Sequence, residues 1–196
     1  MPVRKQEEID LEDYVRRAQK GDREAVAVLY QVYVHRIYRY ISARVGDPHD
    51  VEDLTGQVFL NMVSGLRNSP PGGPPFTAWL YKIATARVAD FYRSRSKYRT
   101  GPTEDHLVDP GMLPEEDIQQ QQLVEELRKA LNTLSEDQQL VLMLRFVERK
   151  SHSEVADMVG RSVPAVKSLQ HRALVTLTEL LGSREKVRHY LRGGHD

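Results

Sequence analysis

Residues 151–172 read Ser-His-Ser-Glu-Val-Ala-Asp-Met-Val-Gly-Arg-Ser-Val-Pro-Ala-Val-Lys-Ser-Leu-Gln-His-Arg. Ser151 and Glu154 have the spacing of a capping box, in which a hydroxyl and a side chain three residues later satisfy the free amides of a helix start. Ser162, with Pro164 inside the first turn, marks a second start only a tight turn further on. Within the pair Ala156 is small enough for close helix contact, Gly160 can take the left-handed backbone of the turn, and Val166 can wedge between the helices. The stretch therefore predicts a helix-turn-helix. The second helix of such a unit enters the major groove, with its N-terminal outward residues on bases and phosphates. Here those are Arg161, Ser162, Ala165, Lys167, Ser168, Gln170, His171 and Arg172. The same spacing also fits an ordinary helical hairpin, so the flanking residues decide.

Outward from this unit the apolar spacing stays helical. Ser135 and Gln138 repeat the capping-box pattern, and Ile118, Leu123, Leu127 and Leu131 recur on one helical face. Near the start, Leu11, Tyr14, Val15 and Ala18 predict a short helix. After Gly21-Asp22, a stop and a cap, the series Val26, Leu29, Tyr33, Ile37, Tyr40 and Ile41 predicts a longer one. Val51, Leu54, Val58, Phe59 and Met62 follow the Gly46-Asp47-Pro48 break. The segment Ser69-Pro-Pro-Gly-Gly-Pro-Pro75 ends that helix, and Trp79, Leu80, Ile83, Val88 and Phe91 begin the next pattern. No period-two run predicts a strand. Between about residues 98 and 118 the pattern fails in an acidic stretch punctuated by Gly101, Pro102, Pro110, Gly111 and Pro114. The predicted fold is all-α: two small helical domains, 1–97 and 118–182, joined by a linker over 98–117 and followed by a polar tail over 183–196.

Composition narrows the function classes. The 196 residues contain no cysteine, which excludes disulfides, thiolate zinc sites and iron–sulfur clusters and fits a reducing, cytoplasmic setting. No apolar run approaches the ~20 residues of a membrane span, and Met1 to Glu8 lack a signal peptide's apolar stretch, so no membrane insertion is expected. The 28 Lys and Arg balance 28 Asp and Glu overall, but not locally. Residues 1–100 hold 16 basic and 12 acidic side chains, residues 101–120 hold 0 and 6, and residues 121–196 hold 12 and 10. A zero sum thus hides basic, acidic and basic segments in turn.

Residues 76–99 interleave aromatics with Lys82, Arg87, Arg93, Arg95, Lys97 and Arg99. Cations hold phosphates and aromatic faces stack on unpaired bases, so the mixture suits a strand leaving its duplex. Trp79 and Phe91 serve equally as core residues, and arginines near a helix end as solvated complements of its dipole. Asp47, Asp50, Glu52 and Asp53 cluster at another helix start, where capping charge alone accounts for them.

Taken together, Asp50-Val-Glu-Asp-Leu-Thr-Gly-Gln-Val-Phe-Leu60, Phe76-Thr-Ala-Trp-Leu-Tyr-Lys-Ile-Ala84, Leu134-Ser-Glu-Asp-Gln-Gln-Leu-Val-Leu-Met-Leu-Arg-Phe146 and the helix-turn-helix resemble the bacterial extracytoplasmic-function sigma factors, in order and over nearly the whole chain. The resemblance implies an RNA polymerase initiation subunit of two helical domains, regions two and four, with no catalysis and no cofactor of its own. It implies that the helix at Asp50–Met62 docks on the clamp helices of the polymerase β′ subunit, with Asp50, Asp53, Gln57 and Phe59 as contacts, and that the β flap is a further partner. Gly56-Gln57 stands where the family has Gln-Glu, which removes a polar contact and places a glycine in a helix. The resemblance assigns the loop from Arg67 and Asn68 to Phe76, and then Tyr81, Lys82, Thr85, Arg87 and Arg93, to an unpaired base and the melted non-template strand of the minus-ten element. Ala86 replaces a family asparagine. Residues Arg161 to Arg172 fall to the double-stranded minus-thirty-five element, and Leu169 stands at a position often arginine, so one contact there is expected to be missing. The acidic linker either threads toward the RNA exit path or is a solvated spacer. The resemblance also allows an anti-sigma factor that buries both DNA-binding surfaces.

Two other readings compete. A stand-alone helix-turn-helix regulator would bind DNA without polymerase, but it leaves the Trp79 segment and the acidic helix unexplained. A metal-dependent phosphohydrolase would use His49-Asp50, yet no second histidine cluster completes a ligand set.

Overall fold

A computed structural model describes residues 11–67, 75–98 and 115–182. Among them the regular structure is all helical, with no strand. The first half holds α1 (Leu11–Gln19), α2 (Arg23–Ser42), α3 (Pro48–Leu66) and α4 (Phe76–Tyr98). Their starts follow from local chemistry. The Asp22 carboxylate accepts the amides of Glu24 and Ala25, and it also accepts the Arg17 guanidinium at 2.8 Å, which ties the end of α1 to the start of α2. Asp47 caps α3 through the amides of His49 and Asp50, with Pro48 in the first turn, where its missing amide costs nothing.

Each helix turns the predicted apolar face inward. Leu29, Ile37 and Ile41 of α2, Val58 and Met62 of α3, and Leu80, Ala84 and Val88 of α4 are buried together. Full burial of such an aliphatic side chain contributes about 1.5–3 kcal/mol. At Gly65 a Cβ would lie 2.8 Å from the Trp79 ring, so a residue without a side chain lets α3 and α4 approach there. Trp79 and Phe91 pack against this core, in agreement with their core reading.

The second half holds α5 (Glu115–Thr133), α6 (Glu136–Leu142), α7 (His152–Val159) and α8 (Val163–Leu181). Both predicted capping boxes form, Ser135 with Gln138 and Ser151 with Glu154. Ser162 caps α8 by accepting the Ala165 amide. Gly160 closes α7 at φ +65°, a left-handed conformation that a side chain would strain. Ala156 and Val166 are buried between α7 and α8, the packing a helix-turn-helix needs. Leu134, Leu142, Ala173, Leu177 and Leu181 form a second apolar cluster against α5.

Two features have no sequence-based expectation. Helix α6 runs into a π-helical turn, Met143–Val147, and Arg149 then takes φ +54°. The turn is fixed by the Glu148 amide on the Met143 carbonyl, the Lys150 amide on the Leu144 carbonyl and the Arg145 guanidinium on the Lys150 carbonyl. In addition, α4 packs on α6, and Leu140, Val141 and Leu144 join the same apolar cluster as Leu80, Tyr81 and Ala84. The two halves therefore lie against each other.

Candidate nucleic-acid interface

On α8 the outward edge is polar and cationic. Lys167, Ser168, His171 and Arg172 are exposed, while Val166, Leu169, Ala173 and Leu177 face the core. Among the described residues no carboxylate pairs with Lys167, His171 or Arg172, all three exposed on the side away from the packing face, and the Arg172 Nε donates to the Ser168 carbonyl at 3.5 Å. Arg161 instead pairs with Asp137 and fastens the turn before α8 to the start of α6. Ala165 is half-buried under the first turn.

Two further residues of this helix lie off its outer edge. Leu169, where a contact was expected to be missing, is 8% exposed and packs in the core. Gln170 lies on the inner flank rather than the outer edge. Its carbonyl oxygen accepts the Arg145 Nε at 3.3 Å and meets His152 Nε2 at 2.8 Å. Gln170 thus joins the π-helical turn, α7 and α8 instead of facing outward.

On α4 the basic and aromatic residues are interleaved, with the Arg95 guanidinium 4.7 Å from the Phe91 ring centroid. Lys82 is exposed, and Arg87 and Arg93 bracket Asp90 at 2.6 and 2.5 Å. The Arg93 hydrogen bond, with Arg87 behind it, holds the Asp90 carboxyl below the usual carboxylate range. Tyr81 and Thr85, expected on the melted strand, are 0% and 2% exposed. The Thr85 hydroxyl donates to the Tyr81 carbonyl at 2.8 Å and lies 2.8 Å from the Tyr40 hydroxyl. The Tyr81 hydroxyl donates to Glu148 of the second half at 2.7 Å. Burial first, then the hydrogen bond to Glu148 and its negative charge, push the Tyr81 phenol far above its ordinary value. In this arrangement neither residue can touch DNA. Phe76, which follows the loop from Arg67, is half-buried at the start of α4, with its ring 5.4 Å from Tyr33 and 5.8 Å from Trp79. Arg67 is exposed at the other end of that loop, and Asn68 lies outside the described residues.

A polar seam runs beside Tyr81. The Arg44 guanidinium, in a residue only 4% exposed, donates to the Tyr40 hydroxyl at 2.6 Å and to Asn132 of α5 at 3.2 Å. Asn132 returns an amide hydrogen bond to the Arg44 carbonyl at 3.0 Å, and Tyr92 donates to the same carbonyl at 2.5 Å.

The acidic start of α3 presents Asp53 and Gln57 to solvent, with Leu60 beyond them 71% exposed. Beside them Tyr30, Val34, Tyr38, Glu52, Thr55, Gly56 and Phe59 line a shallow groove. Asp50 is half-buried and meets Arg95 at 3.3 Å. Phe59 faces inward, 5% exposed, with its ring 4.7 Å from Tyr30. It forms part of the groove wall. Among the described residues no three His, Asp or Glu side chains converge on a point that could hold a metal, and no helix is long and apolar enough to cross a membrane.

A two-part helical chain with a helix-turn-helix and a cationic outer edge on its second helix defines a DNA-binding protein. Residues 29–98 match the family Sigma-70 region 2, and residues 124–177 match Sigma-70, region 4. The ECF RNA polymerase sigma factor BldN of Streptomyces coelicolor is 36% identical over 172 residues, covering 86% of this chain and 65% of BldN. SigD of Mycobacterium tuberculosis is 32% identical over 177 residues, covering 86% of this chain and 82% of SigD. Among solved structures, CnrH in complex with the cytosolic domain of CnrY shares the fold with a TM-score of 0.60 at 21% identity, over 87% of this chain and 96% of CnrH. The chain belongs to the extracytoplasmic-function (ECF) sigma factors of the sigma-70 family, non-enzymatic subunits that bind core RNA polymerase and direct transcription initiation.

Proposed function

We propose that the chain reads promoters through three surfaces. The outer edge of α8, with Lys167, Ser168, His171 and Arg172, lies in the major groove of the minus-thirty-five element, and Ser162 sits at the mouth of that groove. Lys82, Arg87 and Arg93 of α4 hold the melted non-template strand of the minus-ten element. Arg67, Asn68 and Phe76 shape the base-capturing loop, and Tyr81 and Thr85 complete the surface once the two halves part. The exposed face of α3, with Asp53, Gln57 and Leu60 beside the tyrosine-lined groove, docks on the β′ clamp helices, while the second half meets the β flap. On this reading region 2 occupies 1–97, the acidic linker 98–117, region 4 118–182 and a polar tail the remainder. The protein works in the cytoplasm with core polymerase. An anti-sigma partner belongs to the same proposal.

The observation that carries the DNA reading is the α8 edge. It is the outer side of a helix packed on its other side, bearing Lys167, His171 and Arg172 without acidic partners among the described residues. Run-off transcription with purified core polymerase on a pool of genomic promoters tests it. Start sites that appear only when the protein is added are expected, and Lys167→Ala with Arg172→Ala should abolish most of them. Transcription indifferent to both substitutions would remove α8 from promoter reading.

A further inference from the structure

Gln170 stands at the border between the two sides of α8. Leu169 before it is buried, His171 after it is exposed, and the exposed Lys167 lies one turn back. Two groups from two other elements hold its side-chain oxygen. The Arg145 Nε, in the π-helical turn Met143–Val147, donates to it at 3.3 Å, and the His152 Nε2, in the first residue of α7, lies 2.8 Å away. Arg145 is itself fixed, because its guanidinium also donates to the Lys150 carbonyl. Among the described residues it forms no ion pair, so neutral oxygens alone meet its charge. A π-helical turn is rare in folded chains and recurs at functional sites. Elsewhere α7 meets α8 through apolar residues, Ala156 and Val166 among them, and the ion pair of Arg161 with Asp137 ties the turn before α8 rather than its flank. Apolar packing has no preferred direction, whereas a hydrogen bond weakens steeply once its donor turns away. Packing therefore sets how close the two helices come, and the three-way contact at Gln170 sets the roll of α8 about its axis. An α-helix with its side chains is about 10–12 Å across, so a roll of about 10° moves its rim by about 1 Å. Hydrogen bonds to base edges span only about 0.5 Å in length, so a slip of that size disrupts direct reading.

We infer that Gln170 is a positioning residue for promoter reading: held by Arg145 and His152, it fixes the roll of α8 and with it the aim of Lys167, Ser168 and His171, and it touches no base itself. The inference rests on the proposed role of the α8 edge in reading the minus-thirty-five element. Arg145 and His152 act on the DNA only through Gln170. A Gln170 side chain swung outward onto a base edge would have to leave both partners, and direct reading of that kind is the rival outcome.

Holoenzyme assembled from the full chain and purified core polymerase is given a promoter mapped by run-off transcription, with about 10 base pairs, one turn of the duplex, randomised at its minus-thirty-five element. Sequencing the bound DNA yields a base preference at every position. Loss of stability alone does not move this readout, because an unfolded fraction lowers the amount bound without changing what the folded remainder selects. Gln170→Met keeps the length of the side chain and removes the acceptor, and Arg145→Met removes a donor. Each should flatten the preference by about threefold or more at several adjacent base pairs. The double variant should be no flatter than either single one, since both remove the same hold. Gln170→Glu, which keeps the oxygens that Arg145 and His152 meet, should retain the parent preference while its added charge weakens binding overall. A change confined to one base pair in Gln170→Met, with Arg145→Met like the parent, makes Gln170 a base reader and overturns the inference. Unchanged preferences in both single variants, or additive losses in the double one, overturn it as well. Lys167→Ala with Arg172→Ala is the control for the underlying reading. If affinity and selection survive that pair, the α8 edge does not read the element and the inference falls with it; if they do not survive while Gln170→Met behaves as the parent, the positioning role alone is lost.

Discussion

At Gly56 nothing lies within 4 Å of the place a Cβ would occupy, and the residue sits in the middle of α3. The glycine is therefore not required by packing, and it leaves the helix with extra backbone freedom in the unfolded chain. Gly56→Ala is expected to raise stability by about 0.5–1 kcal/mol, measured by chemical denaturation. Its effect on polymerase docking is a separate quantity, because the same position lines the groove beside Tyr30. Glu154 gives a pH-dependent test at the same scale. The Ser151 amide, then the Ser151 hydroxyl, and Lys150 less strongly, hold the Glu154 carboxyl below the usual range. A depressed carboxyl contributes stability above its unfolded value and loses it as pH falls through the folded one. Glu154→Gln should therefore flatten the decline in melting temperature at acid pH by lowering the neutral value toward the acid one, while glutamine still closes the capping box. A third test concerns charge on α8. Lys167→Ala and Arg172→Ala should each weaken promoter binding across sequences and reduce the salt slope by about 1, read from affinity against salt concentration.

Elements differ in how far the sequence reveals them. The starts at Asp22, Asp47, Ser135, Ser151 and Ser162 were legible because a cap is a local event between a side chain and amides two or three residues away. The turn at Gly160 was legible for the same reason. Phe59 was readable too, by phase: Thr55, Val58, Met62 and Leu66 share its buried side, and that phase outweighs its place in a motif. Gln170 was not readable from residue type, because glutamine suits a base edge and a buried clasp equally. What distinguishes them is Arg145, 25 residues earlier, brought under α8 by the π-helical turn. The Arg44 seam was equally hidden, since Asn132 lies 88 residues from Arg44. Removing Asn132 leaves a sheltered guanidinium with one donor unmet. Asn132→Ala should accordingly cost about 1–3 kcal/mol in denaturant unfolding, with the denaturant slope preserved.

For the molecule as a whole, the sequence revealed two helical bodies and the order of their parts, but not that the bodies share a core. Periodicity tells which face of a helix is apolar and leaves open which partner covers it. Here Leu140, Val141 and Leu144 join the cluster built by α2, α3 and α4, so the boundary between the halves is apolar at its centre and polar at its edge. These two components respond differently to temperature. Near 25 °C the attraction between apolar surfaces is almost wholly entropic and weakens as water is cooled, whereas the ion pair of Glu148 with Arg36 at 3.0 Å lacks that dependence. Chilling therefore loosens this boundary from its centre while its polar rim still holds, and warming toward the optimum of the apolar term tightens it.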